Sequence, residues 1–127
     1  MADGDYVIVV EPFDADFRLI ADCLSGEGIE VRPASSLLEA ILYEVAAPDS
    51  VILYDTDAPE HWRDALQQFL RLRPKSRVVL LSRLADTPMW LEVLDTGGYD
   101  LVMKPLRAEE IRLVVRKALR TATGQAA

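Results

Sequence analysis

Several features that most often reveal a protein's chemistry are scarce in this sequence. Cys23 is the only cysteine among 127 residues, so an internal disulfide bond and a cysteine-rich zinc site are both excluded. His61 is the only histidine; we expect it to face solvent, which leaves a serine nucleophile without a basic partner. Gly26 and Gly28 follow a predicted helix and not a strand, so they indicate a turn rather than a phosphate-binding loop.

Long apolar runs and an excess of basic residues are also missing. No apolar run is long enough to cross a bilayer, and residues 1–5 lack the basic and apolar parts of a signal peptide. The formal net charge is −7, which does not indicate a general affinity for nucleic acid. We therefore expect a cytoplasmic protein that contacts neither nucleic acid nor a membrane directly, and a reducing compartment fits the single cysteine.

The sequence is rich enough in hydrophobic residues to build one core. Half of its residues are hydrophobic, and a chain of this length is typical of one domain. We place that domain at residues 1–121. Residues 122–127 are expected to be a frayed tail or the stub of a linker.

Short apolar runs alternate with amphipathic segments along the chain. The runs at 6–10 and 51–54 are continuous and do not alternate with polar residues, which is typical of strands buried on both faces. Helix patterns follow each run, with Asp14 or Asp16, Ser36 and Thr87 as predicted N-caps. Strands this short, joined by helices, predict an α/β fold with a parallel sheet covered on both faces. The predicted strands are residues 6–10, 29–32, 51–54, 77–81 and 101–103.

Four of the five predicted strands end on a polar residue: Glu11, Asp55, Ser82 and Lys104. Right-handed crossovers bring the carboxyl ends of parallel strands to one edge of the sheet, so these side chains should converge there. Glu11 and Asp55 offer oxygens to a cation such as Mg²⁺. Lys104 and Ser82 could neutralise a phosphoryl group that Asp55 accepts as a nucleophile. The structural alternative is an Asp55–Lys104 ion pair beside a capping Glu11.

The order and spacing of five short motifs carry a family resemblance. Together they make the chain similar, over essentially its whole length, to a receiver domain of the two-component response regulators. The motifs are Val-Ile-Val-Val-Glu at 7–11, Ile-Leu-Tyr-Asp-Thr-Asp-Ala-Pro at 52–59, Leu-Leu-Ser at 80–82, Gly-Gly-Tyr-Asp at 97–100 and Met-Lys-Pro at 103–105.

This resemblance implies a fold and a set of roles. The implied fold has three layers, with a doubly wound, flavodoxin-like sheet of five parallel strands in the order 2-1-3-4-5. Asp55 would be the phosphoacceptor, with Mg²⁺ held by Glu11, Asp55 and the main-chain carbonyl of Asp57. Ser82 would be the switch hydroxyl. Lys104 would be the family's lysine, and a cis peptide bond to the proline after it is also implied.

The sequence departs from the family at three places. Pro12 stands where the family has a second acid that binds the metal directly. Losing a unit charge roughly 4 Å from a cation removes about 4 kcal/mol at an effective dielectric constant near 20, so Mg²⁺ binding should be weakened. Leu101 occupies the place of the usual switch aromatic residue. Trp62 and Arg63 stand where the family often has Asp-Gly.

Three nearby acids are candidates to compensate for Pro12. Glu11 is longer than an aspartate and could reach the cation directly. Asp14 and Asp16 follow within the next turn of chain, and the sequence does not choose among the three.

Two functions from different classes follow. One is a receiver domain that accepts a phosphoryl group from a histidine kinase or a phosphotransfer protein in phosphorelay signal transduction. The other is a degenerate pseudo-receiver that acts as a protein-interaction module without phosphorylation, which Pro12 and Leu101 favour. A small α/β enzyme with another substrate has little support, because neither a catalytic base nor a cofactor pocket is evident. We expect no enzyme activity.

The last two helices and the last strand form a predicted contact surface. Opposite charges on these elements favour a homodimer or an effector contact, with a solvated charged face as the alternative. Trp90 is predicted to lie in the core. The charged residues are Arg112, Arg116 and Arg120 on the last helix, and Glu92, Asp95 and Asp100 before it.

Overall fold

Five strands and five helices alternate along the chain. The computed structural model describes residues 5–122, with side chains described from residue 5 to residue 120. The predicted tail, residues 122–127, lies outside the described residues apart from the backbone of Ala122. The elements are β1 Tyr6–Val10, α1 Asp14–Ser25, β2 Glu30–Pro33, α2 Leu37–Ala46, β3 Val51–Asp55, α3 Trp62–Leu72, β4 Arg77–Ser82, α4 Thr87–Thr96, β5 Asp100–Met103 and α5 Ala108–Ala122.

All five strands are parallel and form one sheet in the order β2-β1-β3-β4-β5. This confirms the predicted doubly wound, flavodoxin-like fold. The order places β3 in the centre, between β1 and β4, with β5 at one edge. Asp55 is the last residue of β3 and lies opposite Leu81, so its side chain emerges at the carboxyl edge of the sheet.

Successive side chains of each central strand enter two different cores. In β1, Val7 and Val9 pack with α1 and α5, whereas Ile8 and Val10 pack with residues of α2, α3 and α4. Because side chains alternate across a strand, a sheet with helices on both faces requires apolar residues at every position. This is why the strands appear in the sequence as unbroken apolar runs.

The helix starts correct two of the predicted caps. Phe13 is the N-cap of α1 and makes no side-chain capping bond; instead, its own N–H donates to Glu11 Oε2 at 3.1 Å. Asp86, and not Thr87, caps α4 by accepting from the Met89 N–H at 2.9 Å. Aspartate ranks above threonine as an N-cap, and the one-residue shift leaves Thr87 inside the helix. The prediction for Ser36 is confirmed, because Ser36 Oγ accepts from the Glu39 N–H at 3.1 Å.

Two further expectations concern exposure. Trp90 is 42% exposed, so the prediction that it lies in the core is wrong. Its indole N–H donates to Asp100 Oδ1 at 3.2 Å, and this partner on β5 holds the ring at the surface. Within residues 5–122, no helix is long and apolar enough to span a membrane.

We predict that Phe69→Ala lowers the free energy of unfolding by about 3–5 kcal/mol, because it empties a fully buried site. Leu72→Ala, on the same helix but 55% exposed, is the matched control and should cost less than about 1 kcal/mol. Urea unfolding followed by circular dichroism measures both. Equal losses would contradict this description of the core.

Candidate functional site

Three of the four predicted strand-end side chains meet at one point. Lys104 Nζ lies 3.0 Å from Glu11 Oε1 and 3.2 Å from Glu11 Oε2, and it also donates to Asp55 Oδ2. Asp55 is fully buried and Lys104 is 8% exposed. The convergence follows from topology: β1 and β3 are neighbours, and the long side chain of Lys104 reaches from beyond β5 across the end of β4.

The loop after β5 positions Lys104 for this reach. The Lys104 N–H donates to the Ser82 carbonyl at 2.9 Å, which continues the pairing of β5 with β4 by one residue. The Lys104–Pro105 peptide bond is cis, as the resemblance implies. The ammonium group also lies 4.9 Å from the centroid of the Phe13 ring. From this loop the Lys104 ammonium group contacts the carboxylates of both Glu11 and Asp55.

Asp16 is a fourth member of the site. Its Oδ2 lies 2.7 Å from Lys104 Nζ, so three carboxylates surround one ammonium group. From the sequence, Asp14 and Asp16 are equal candidates, both for the N-cap of the first helix and for an acid that compensates for Pro12. The choice between them depends on where α1 begins: with Phe13 as the N-cap, Asp16 faces the sheet edge and Asp14 is exposed.

Ser82 lies beside this cluster and takes part in a separate hydrogen-bond chain. Thr56 Oγ1 donates to Ser82 Oγ at 2.9 Å, and Ser82 Oγ also accepts from the Leu84 N–H at 3.0 Å. Thr56 directly follows Asp55, so this chain links the end of β3 to the end of β4. Sequence reasoning missed Thr56, although a hydroxyl next to the central aspartate was a visible signal.

Asp57 orients Asp55 through its backbone. The Asp57 N–H donates to Asp55 Oδ1 at 2.6 Å. The Asp57 side chain pairs with Arg83: its Oδ2 lies 3.0 Å from Arg83 Nη2 and 3.1 Å from Arg83 Nε. Arg83 follows β4, and it entered none of the sequence predictions because its partner is distant in the chain.

The loop after β3 explains the atypical Trp62-Arg63 pair. Trp62, the first residue of α3, is buried in the core, while the Arg63 guanidinium lies 5.1 Å from the Trp62 ring centroid and forms an ion pair with Glu92 of α4. His61 is exposed, and its Nδ1 accepts from the Arg63 N–H at 3.1 Å as the N-cap of α3. These residues stabilise the start of α3 and lie outside the cluster around Lys104.

The site carries more negative than positive charge. Burial, followed by a hydrogen bond shared with Asp55, raises the pKa of Glu11 from its ordinary 4.5 to about 7. Burial by itself would lower the pKa of Lys104, but hydrogen bonds with Asp16, Asp55 and Glu11 outweigh it and raise that pKa. One ammonium group does not balance the negative charge of three carboxylates, so a further proton or a cation would be stabilised in this site.

The donor atoms of the site suit a hard cation. Glu11 Oε1 is buried, and although it lies within ion-pair distance of Lys104, no described group donates a hydrogen bond to it. Carboxylate and carbonyl oxygens are the ligands that Mg²⁺ uses. In the part of the chain that the structure describes, no group of three or more His, Cys, Asp or Glu residues is already arranged as a metal centre. A cation would therefore have to separate these oxygens from the Lys104 ammonium.

The sequence is similar to those of several bacterial regulators, although no model of a known protein family matches the chain. It is 28% identical over 115 residues to the regulatory protein AtoC of Escherichia coli, covering 89% of this chain and 25% of AtoC. It is 26% identical over 106 residues to the chemotaxis protein CheY of Listeria monocytogenes, covering 83% of this chain and 80% of CheY. The chain thus spans a quarter of one relative and most of the other.

Solved structures share the fold over nearly the whole chain. A response regulator receiver domain protein from Clostridium thermocellum superposes with a TM-score of 0.83 at 20% identity, covering 95% of this chain and 98% of that one. The beryllofluoride-activated NtrC4 receiver domain dimer gives a TM-score of 0.83 at 20% identity, covering 92% of this chain and 98% of that one. At this level of identity the superpositions establish the fold.

The pKa of Glu11 leads to a prediction about stability in metal-free buffer with EDTA. Because its folded pKa is raised, Glu11 contributes stability that is fully present below pH 4.5 and is lost as the pH rises through about 7. Glu11→Gln resembles the protonated acid at every pH. We therefore expect the variant to match the wild type near pH 4.5 and to become more stable than it above pH 7, by on the order of 2 kcal/mol. Urea unfolding of both proteins across this range measures the difference; a constant difference would contradict the raised pKa.

Proposed function

Because the chain belongs to the receiver-domain family of the response regulators, we propose that it accepts a phosphoryl group on Asp55. The donor would be a histidine kinase or a phosphotransfer protein in a phosphorelay, acting in the cytoplasm. The observation that carries the proposal is a fully buried carboxylate at the carboxyl end of the central strand, in contact with a buried lysine. We propose a signalling role and not an enzyme activity of its own.

The first step of the proposed transfer is positioning of the nucleophile. The Asp57 N–H holds Asp55 Oδ1 and the Lys104 ammonium holds Oδ2, so the carboxylate has a defined orientation before the donor arrives. In the transfer, an oxygen of Asp55 forms a bond to phosphorus while the bond from phosphorus to the donor atom breaks. The donor keeps the electron pair of that bond, and Asp55 becomes an acyl phosphate.

The second requirement is neutralisation of the charge that the phosphoryl group adds. The Lys104 ammonium group can form an ion pair with one phosphoryl oxygen, since it already contacts Asp55. Glu11, Asp55 and the main-chain carbonyl of Asp57 would hold Mg²⁺, which supplies further positive charge to the phosphoryl oxygens when bound. The hydroxyls of Ser82 and Thr56 lie at the adjacent strand end and can donate hydrogen bonds to the new group.

The contact surface proposed for a partner is formed by α4, β5 and α5. The structure changes the set of residues that would form this contact surface. Arg116 donates to Glu27 at 2.7 Å, and Glu92 forms an ion pair with Arg63. The charged groups of Arg116 and Glu92 are therefore already paired within the molecule, on sides of α5 and α4 that face away from this surface. Large apolar side chains remain exposed on this surface, and these support a homodimer or effector contact: Trp90, Leu91, Leu94, Met103 and Leu113.

Phosphodonor labelling tests the proposed phosphoacceptor. With phosphoramidate and Mg²⁺, we expect intact-mass spectrometry to show one added phosphoryl group on the wild type, lost on treatment with hydroxylamine. Asp55→Asn should remove the adduct, whereas Asp95→Asn, a matched change at an exposed site on α4, should retain it. Absence of the adduct from the wild type, under conditions that label an ordinary receiver domain, would favour the phosphorylation-independent interaction module.

The proposed partner surface predicts a change of assembly state. Sedimentation of the phosphorylated protein should show self-association that is weakened by Met103→Asp, since this variant places a charge among the exposed apolar side chains. Leu38→Asp, at an exposed position on α2, is the control and should sediment like the wild type. A monomer in every sample would leave an effector, and not a second copy, as the partner of this surface.

A further inference from the structure

The segments that follow β3 and β4 are joined side by side next to Asp55. Thr56 Oγ1 donates to Ser82 Oγ at 2.9 Å. One residue further along both segments, Asp57 Oδ2 lies 3.0 Å from Arg83 Nη2 and 3.1 Å from Arg83 Nε. Since the Asp57 N–H also donates to Asp55 Oδ1 at 2.6 Å, Asp57 contacts both the proposed phosphoacceptor and the Arg83 guanidinium.

A phosphoryl group at this end of the sheet would need more than one cation. It carries roughly two negative charges at neutral pH, whereas the Lys104 ammonium is already shared among Glu11, Asp16 and Asp55. The Arg83 guanidinium is a second positive group beside the same strand ends. Its planar set of N–H donors matches the oxygens of a phosphoryl group, with which arginine forms paired hydrogen bonds.

From these contacts we infer that Arg83 binds the phosphoryl group on Asp55. On phosphorylation, the guanidinium exchanges its ion pair with Asp57 for one with a phosphoryl oxygen, and the Asp57 carboxylate is left to solvent. The inference rests on the proposed function, because it concerns the same acyl phosphate. Lys104 and Arg83 then contact the phosphoryl group from beyond the ends of two neighbouring strands, β5 and β4.

The exposure of the two side chains permits this exchange. The Arg83 side chain is 64% exposed and that of Asp57 is 36% exposed, and an ion pair open to water contributes little stability. Hydrogen bonds to phosphoryl oxygens are stronger competitors for a guanidinium. The backbone on either side of Arg83 is fixed, because the Leu84 N–H donates to Ser82 Oγ at 3.0 Å. The arginine side chain can therefore change partner while the chain around it stays in place.

Binding of beryllofluoride, which imitates a phosphoryl group on a carboxylate, tests the role of Arg83 without phosphoryl transfer. With Mg²⁺ in every sample, a titration followed by fluorine magnetic resonance measures the affinity. Arg83→Gln should bind about tenfold more weakly than the wild type, because a charged hydrogen-bond donor is lost. Arg71→Gln is the matched control, since it removes the same charge from an exposed position in the last turn of α3, and it should bind like the wild type. Equal affinity of the two variants would overturn the inference.

Asp57→Asn separates a phosphoryl-binding arginine from a structural ion pair. A pair that only ties the two segments together is broken from either side, so weaker binding by both Asp57→Asn and Arg83→Gln would contradict the proposed exchange. If Asp57 competes for the guanidinium, Asp57→Asn should instead bind beryllofluoride more tightly than the wild type. This gain should vanish when Arg83→Gln is added, because the competition needs the guanidinium. A gain of equal size with and without Arg83 would reflect only the charge of Asp57 and would also count against the inference.

Phosphoramidate labelling of the same variants, each with a circular dichroism spectrum that matches the wild type, keeps the two proposals apart. Arg83-dependent binding of beryllofluoride without labelling of the wild type would remove only the phosphoacceptor role of Asp55. A labelled wild type whose affinity for beryllofluoride equals that of Arg83→Gln would remove only the role of Arg83. A wild type that neither binds beryllofluoride nor is labelled would overturn both proposals.

Discussion

The Lys104 ammonium and the carboxylates around it form the interaction on which the functional end of this molecule depends. A buried Asp55 beside a buried Glu11 would be costly without a compensating charge, and Lys104 supplies it from the far side of β4. The same lysine ties the loop after β5 to the end of β3. The sequence allows two interpretations of these residues, a structural Asp55–Lys104 ion pair and a phosphoacceptor site. The two are compatible, since a lysine that stabilises the empty carboxylate is also in place to neutralise a phosphoryl oxygen.

The sheet makes this arrangement possible because it is covered on both sides. Helices α1 and α5 cover one face and α2, α3 and α4 cover the other, so polar side chains of the central strands lie at the edges of the sheet, where these strands begin and end. The chain places its acids and its lysine at those ends. The atypical Pro12 leaves this geometry intact, since Glu11, Asp55 and Lys104 still meet at the carboxyl edge.

Much of the fold could be predicted because the information is local. All five predicted strands are present, although the second, at 29–32, is not an unbroken apolar run, and Ser36 with Glu39 identified a helix start that the structure confirms. Glu11, Asp55 and Lys104 could be grouped from topology, since parallel strands end at one edge. The choice of Asp86 over Thr87 as a cap, and the exposure of Trp90, could not be read in this way. Both depend on small differences between neighbouring positions, which packing and a partner on another element decide.

The sequence by itself determined the order of the elements, the parallel sheet and the residues at its carboxyl edge, because hydrophobic periodicity and strand ends are properties of short segments. Only the tertiary structure decided which side chains pair. Lys104 meets Asp16 across 88 positions of the chain, and Arg83 meets Asp57 across 26. Such contacts depend on helix phase and on side-chain reach after the sheet has assembled. For this reason the sequence left Asp14 and Asp16 equivalent, whereas the folded protein brings Asp16 into the site and leaves Asp14 exposed.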